Sequence, residues 1–243
     1  MAQAVQATQA HGGMGHDAGH GEADHSHSAT GINSRKLLMW LFLASDCMFF
    51  GSLIATYMIY RNRDATMGDA WKGPYPSELI DIPFTSVSAF VLLMSSLTMV
   101  LALAALQKND IRGSRVWLFA TSVLGMTFLG GQFFEFTEFY HEGLTLQENI
   151  YGSTFFTLTG FHGLHVGIGV LWLVTLLFVS LRGGLSQKDS MSLEIAGLYW
   201  HFVDIVWIVI FTLVYLIPYP ELSSGEHASR LLQVGRLALG NFF

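Results

Sequence analysis

Residues Phe84–Leu106 read FTSVSAFVLLMSSLTMVLALAAL, without one Asp, Glu, Lys, Arg or Pro. A helix rises 1.5 Å per residue, so this run exceeds the ~20 residues that cross ~30 Å of hydrocarbon. Four further runs resemble it. Residues 37–60 are charged only at Asp46, and 153–181 carry no Asp, Glu, Lys or Arg. Residues 116–139 carry Glu135 and Glu138 in their last turns, and 195–217 are charged only at Asp204. The fold class this predicts is an all-α, polytopic membrane protein, a bundle of five transmembrane helices. A membrane β-barrel would instead need alternating strands of ~10 residues, which are absent.

The composition agrees. Of 243 residues, 51% are hydrophobic and only 12% charged, too few to coat a soluble surface, which needs about a quarter to a third. Twelve basic against eighteen acidic residues leave no basic footprint for nucleic acid. The single cysteine, Cys47, excludes a disulfide framework and a cysteine-based zinc site. The spans divide the chain into three expected parts. Residues 1–34 are a disordered tail rich in His and Gly, with no apolar core of a cleavable signal. Residues 35–220 are the membrane domain. Residues 221–243 are a second tail, with a short amphipathic stretch over 229–239. His11, His16, His20, His25 and His27 give the first tail adventitious metal affinity or a part in copper delivery; their spacing fixes no geometry.

Five spans put the termini on opposite sides. Seven basic residues flank the N-terminal side (Arg35, Lys36, Lys108, Arg112, Arg115, Arg182, Lys188), against five on the other (Arg61, Arg63, Lys72, Arg230, Arg236). The positive-inside rule then predicts a cytoplasmic N-terminus and an external C-terminus.

Ionisable residues at membrane depth are costly unless partnered, so each needs an account. Asp46 and Asp204 fall near the midplane. His201 precedes Asp204 by three residues, on the same helix face. His162 and His165 repeat that spacing in the fourth span. Three readings are open for these groups: an interhelical hydrogen-bond network, a carboxylate at Asp46 that handles protons or contacts lipid, and a metal or haem site. Haem ligation would call for axial His pairs in a wide bundle. Gly163 and Gly167 form a GxxxG spacing that lets helix backbones approach. Trp40 and Trp117 suit the inner interface; Trp172, Trp200 and Trp207 suit packing or lipid contact.

Several stretches carry a resemblance. Tyr151-Gly152-Ser153-Thr154-Phe155-Phe156, Gly160-Phe161-His162-Gly163-Leu164-His165-Val166 and Tyr199-Trp200-His201-Phe202-Val203-Asp204-Ile205-Val206-Trp207 closely resemble subunit III of haem–copper cytochrome c oxidases. Gln132 and Glu135 match the family's Gln-x-x-Glu, and Ser45-Asp46-Cys47-Met48-Phe49-Phe50 its Ser-Glu-x-x-Phe-Phe, with Asp replacing the usual Glu. The motifs keep the family's order over roughly residues 35–218, and five spans correspond to its shorter bacterial form. The resemblance implies a non-redox subunit of a respiratory terminal oxidase in the bacterial cytoplasmic membrane. Such an oxidase reduces O₂ to water and pumps protons. Haem and copper then reside in partner subunits I and II, with no cofactor and no metal in this chain and no catalytic residue of its own. This subunit would pack directly on subunit I, bind phospholipid, support proton uptake and protect the complex during turnover. The implied carboxylate for uptake or lipid contact is Asp46. The implied structural polar network is Gln132, Glu135, His162, His165, His201 and Asp204, with Gly163 and Gly167 in helix packing. An aa3- or caa3-type enzyme with cytochrome c as donor is favoured. A quinol oxidase and the oxidase-III-like accessory subunit of nitric oxide reductases are the alternatives. A stand-alone transporter is disfavoured, because no span has an internal Pro and no repeat is visible.

Overall fold

In a computed structural model, residues 33–61, 81–143 and 150–217 are described, and they contain five long helices and no strand. These are α1 (Ser34–Arg61), α2 (Ile82–Gln107), α3 (Ile111–His141), α4 (Ile150–Leu181) and α5 (Ser190–Phe211), with a π-helical turn, Thr212–Leu216, continuing α5. Each is long and apolar enough to cross a membrane. The expected tail boundaries, the His-rich stretch and the amphipathic segment over 229–239 lie outside the described residues.

All five helices begin earlier than their apolar runs, α3 and α5 by the most. At the α2–α3 turn, Asn109 adopts φ 62°, a left-handed conformation that Asn tolerates well. The Asp110 side chain then accepts from the Gly113 N–H at 3.0 Å, starting α3 at Ile111 and drawing Arg112 and Arg115 into the helix. Before α5, Ser186 and Asp189 form a reciprocal capping box, with Ser186 Oγ donating to Asp189 Oδ2 at 2.7 Å. That start places Glu194 within the helix, where Lys36 of α1 reaches it at 2.5 Å.

The helices form a ring in the order α1, α4, α3, α2, α5, and α4 also packs against α5. The α2–α3 hairpin has the most extensive contact. In its most apolar stretch α5 is 56% buried, against 22% for α1, so α5 is the central helix and α1 the peripheral one. Residue sizes explain how α5 enters. A Cβ on Gly125 of α3 would lie 2.7 Å from the Trp200 ring, and one on Gly169 of α4 only 2.8 Å away. The indole N–H of Trp200 donates to Ser95 Oγ of α2 at 2.9 Å. One side chain of α5 thus engages three other helices. Trp200 is a core residue, only 1% exposed, and not a lipid contact.

The GxxxG reading is corrected in part. Gly163 is a true notch, since a Cβ there would lie 2.8 Å from Gln132 Oε1. Gly167 has nothing within 4 Å of a Cβ, so the two glycines do not form one helix-packing groove. The tightest approaches to a neighbouring helix fall at Gly125, Gly163 and Gly169, each under 3.0 Å, with Gly131 next at 3.1 Å from Ser88 of α2.

Neither α4 nor α5 has a basic residue in its last turn to meet its unpaired carbonyls. Arginines of neighbouring helices supply that charge. Arg61 is 3% exposed and bonds Leu213 O at 2.9 Å and Ile217 O, closing the π-helical turn. At the opposite membrane face Arg115 bonds Ser180 Oγ at 3.1 Å and Ser180 O, at the end of α4. Both place a cation at a helix C-terminus, where the dipole favours it.

Two predictions follow from these contacts. Gly169→Ala should lower the thermal stability of the purified protein by about 1–3 kcal/mol through overpacking. Gly167→Ala should cost nothing and gain up to ~1 kcal/mol of helix propensity. Equal losses at both sites would contradict the notch assignment. Arg61→Met should expose the end of α5 to protease and cost about 1–3 kcal/mol for stranded carbonyls. Arg61→Lys should recover only part of that, because an ammonium lacks the guanidinium fork.

Candidate functional site

The polar residues that the sequence singles out all lie within the spans, but they form separate contacts and not one network. The first joins α1 to α4. Asp46 Oδ2 lies 3.8 Å from His165 Nε2, with both side chains mostly covered. The other ring nitrogen, His165 Nδ1, meets Phe161 O at 2.7 Å. A carbonyl only accepts, so Nδ1 carries a hydrogen. In the neutral ring Nε2 is then a bare lone pair facing a carboxyl oxygen. At 3.8 Å the two atoms are within ion-pair range but not hydrogen-bonded, and Asp46 Oδ2 has no hydrogen-bond partner among the described residues. Tyr199 of α5 donates to His165 O at 2.9 Å and steadies this turn of α4. Phe50 packs edge-on against the imidazole with centroids 5.0 Å apart, and Phe49 lies beyond at 6.3 Å. Beside the pair, Ser45, Cys47 and Met48 are exposed, Met48 to 80%. These three residues point away from the pair, because Asp46 lies on the inward face of α1 with Met39, Leu43 and Phe50.

The second contact joins α2 to α5. His201 Nδ1 meets Ser96 Oγ at 2.5 Å. Asp204 is 3% exposed and lies one turn further along α5. The Ser96 hydroxyl also faces Asp204, yet both carboxyl oxygens lack a hydrogen-bond partner. With Ser96 Oγ taken up by the imidazole at 2.5 Å, we read the acid as next to this contact and not bonded within it.

The third lies inside, between α3, α4 and α5. Gln132 Nε2 donates to Thr159 O at 2.8 Å. His162 is fully buried, meets Val203 O at 3.2 Å and stacks on Trp207 with centroids 4.8 Å apart. The fourth lies one turn beyond Gln132 on α3. Glu135 Oε1 accepts from Thr85 of α2 and from Tyr215 of the π-helical turn, each at 3.0 Å. Glu138 is exposed and takes no part.

Among the described residues only Asp46 and His165 pair a carboxylate with an imidazole. His162 and His165 share a helix but face different neighbours, since three residues turn the helix by 300°. Among the described residues no group of three or more His, Cys, Asp or Glu could hold a metal ion. Sequence reasoning missed the capping arginines and Ser96. The legible signal for the former was an Arg at a span end opposite helices whose last turns lack a base. Nothing in the sequence marks Ser96, because its role depends on which face of α2 meets α5.

The sequence of the chain is similar to known proteins. A family model described as Cytochrome c oxidase subunit III matches residues 17–219. Cytochrome c oxidase subunit 3 of Bacillus sp. (strain PS3) is 40% identical over 177 residues, covering 73% of this chain and 83% of the relative. Probable quinol oxidase subunit 3 of Staphylococcus saprophyticus is 37% identical over 199 residues, covering 79% and 96%. Cytochrome bo(3) ubiquinol oxidase subunit 3 of Pseudomonas aeruginosa is 36% identical over 201 residues, covering 83% and 92%. With five membrane-spanning helices and this match over most of its length, the chain belongs to the cytochrome c oxidase subunit III family.

Proposed function

We propose that this chain is the non-redox third subunit of a respiratory terminal oxidase, and that Asp46 with His165 supports proton uptake by the subunit that reduces O₂. The observation that carries this reading is the pair itself. An acid and an imidazole face one another 3.8 Å apart between two membrane helices, with the second ring nitrogen committed to a backbone carbonyl. Such a pair holds one proton and can pass it without either group becoming an isolated buried charge. Haem and copper belong to partner subunits I and II, and phospholipid covers the apolar faces. The peripheral helix α1, which carries Asp46, is the face we assign to subunit I.

Asp46 stands where the family more often has Glu. The shorter side chain leaves a gap that one further methylene, about 1.5 Å, would nearly close. Asp46→Glu is therefore expected to be tolerated. For the donor, the Tyr-Gly-Ser-Thr-Phe-Phe and Trp-His-Phe-Val-Asp stretches favour cytochrome c in an aa3- or caa3-type enzyme. The quinol reading draws on the Staphylococcus and Pseudomonas relatives, whose identities of 37% and 36% lie close to the 40% of the cytochrome c oxidase relative. The bacterial cytoplasmic membrane is the proposed location, with the N-terminus inside. The basic flanks support that orientation.

Three outcomes are expected. Asp46→Asn should leave the initial rate of O₂ consumption within about twofold, less than 1 kcal/mol of barrier, while proton uptake slows or the enzyme inactivates sooner in turnover. Unchanged uptake, lifetime and lipid content would defeat the role. Purified complex should oxidise reduced cytochrome c; turnover with quinol alone would assign the other branch. Removing residues 1–30 should leave assembly intact, as judged by subunit composition after purification.

A further inference from the structure

Three buried polar atoms on three helices lack a hydrogen-bond partner: Gln132 Oε1 on α3, His162 Nδ1 on α4 and Trp207 Nε1 on α5. They belong to residues in one cluster. The His162 and Trp207 rings stack 4.8 Å apart at 28°, and Phe128 closes over both, at 6.0 and 4.9 Å. The Gln132 amide rests on the same turn of α4. Its Nε2 donates to Thr159 O at 2.8 Å, and its Oε1 would lie 2.8 Å from a Cβ on Gly163. All three residues stand roughly 14–18 Å from the same ends of their helices.

The proton positions follow from the bonds already made. His162 Nε2 faces the carbonyl of Val203 at 3.2 Å, so that nitrogen donates and Nδ1 of the neutral ring is an acceptor. Gln132 spends its NH₂ on a carbonyl, which leaves Oε1 as an acceptor. The indole N–H of Trp207 can only donate. The cluster therefore holds one unpartnered donor and two unpartnered acceptors, and none of them carries a charge.

We propose that this cluster is a site for one internal water molecule, which accepts from Trp207 Nε1 and donates to Gln132 Oε1 and His162 Nδ1. Three hydrogen bonds are the usual number for a buried water. The residues are 7%, 0% and 2% exposed for Gln132, His162 and Trp207, so the cluster is sealed from the outside of the bundle. A cation would meet the positive edge of the indole N–H. The water adds one link common to α3, α4 and α5 beside the pairwise bonds of Gln132 to Thr159 O and His162 to Val203 O. Gly163 keeps its place, because a methyl group there would displace the Gln132 oxygen. The site is independent of the electron donor and separate from Asp46 and His165.

The test is a single-particle reconstruction of the whole complex, at a resolution that shows ordered water. The native protein should show an isolated peak within hydrogen-bond reach of all three atoms. Trp207→Phe, which keeps an aromatic ring beside His162, should lose it, and Gly163→Ala should shift or lose it. No peak in the native map would overturn the proposal, as would Trp207 Nε1 bonded directly to Gln132 Oε1 or His162 Nδ1. If the variants fail to assemble, the native map decides alone. Ultraviolet resonance Raman of the native protein gives a second readout. Because Trp200 is itself hydrogen-bonded, the difference spectrum of native protein minus Trp207→Phe is read: it should contain a hydrogen-bonded indole, and a free indole there would contradict the site.

Discussion

The indole of Trp200 sits between two glycine notches, Gly125 on α3 and Gly169 on α4, with its N–H bonded to Ser95 on α2. In a bilayer no hydrophobic force drives one apolar helix onto another, because lipid tails are equally apolar. Association has to come from shape and from polar groups that find partners only in the bundle. Trp200 uses both. Its ring fills space that only hydrogen atoms leave free, and its single polar atom has one partner. The register of α5 against α2, α3 and α4 follows, and with it the direction in which each functional residue points. Relative to Trp200, Tyr199 turns toward α4 and the Asp46–His165 pair, whereas His201 turns toward Ser96 of α2.

The same constraint acts on the backbone. A helix that ends at the membrane face presents carbonyls without partners, and lipid supplies none. Here the partner is an arginine from another helix, Arg61 for α5 and Arg115 for α4. Each fixes two helix ends at once, one at either face of the bundle. The ion pair of Lys36 with Glu194 ties the start of α1 to the start of α5. The peripheral helix α1 is thus fastened to α5 at both ends, through Lys36 and Arg61. Between these ties it meets α4 at Asp46 and His165.

The five spans were legible because hydrocarbon thickness imposes a length, and a run such as Phe84–Leu106 has no other use for so many apolar residues. Helix starts were less legible. Asp110 and the Ser186/Asp189 box extend α3 and α5 beyond their apolar runs, and caps are polar by nature. The family was legible from ordered motifs over most of the chain. The partners within those motifs were not. Side chains such as His162 and His165 look equivalent in sequence, yet one is sealed in the core and the other faces α1. Gly167 and Gly169 differ in the same way. Which of them notches a neighbour depends on helix rotation, and that is set by contacts distant in sequence.

We have proposed that this chain works as a non-redox subunit within a terminal oxidase. Purification through a tag on this chain in mild detergent, with a visible spectrum and an assay of O₂ consumption, is the decisive experiment. A co-purifying haem-bearing subunit with a-type haem absorbance and reduction of O₂ to water is the expected result. Recovery with no haem-bearing partner would contradict it. So would b- and c-type haem with reduction of nitric oxide.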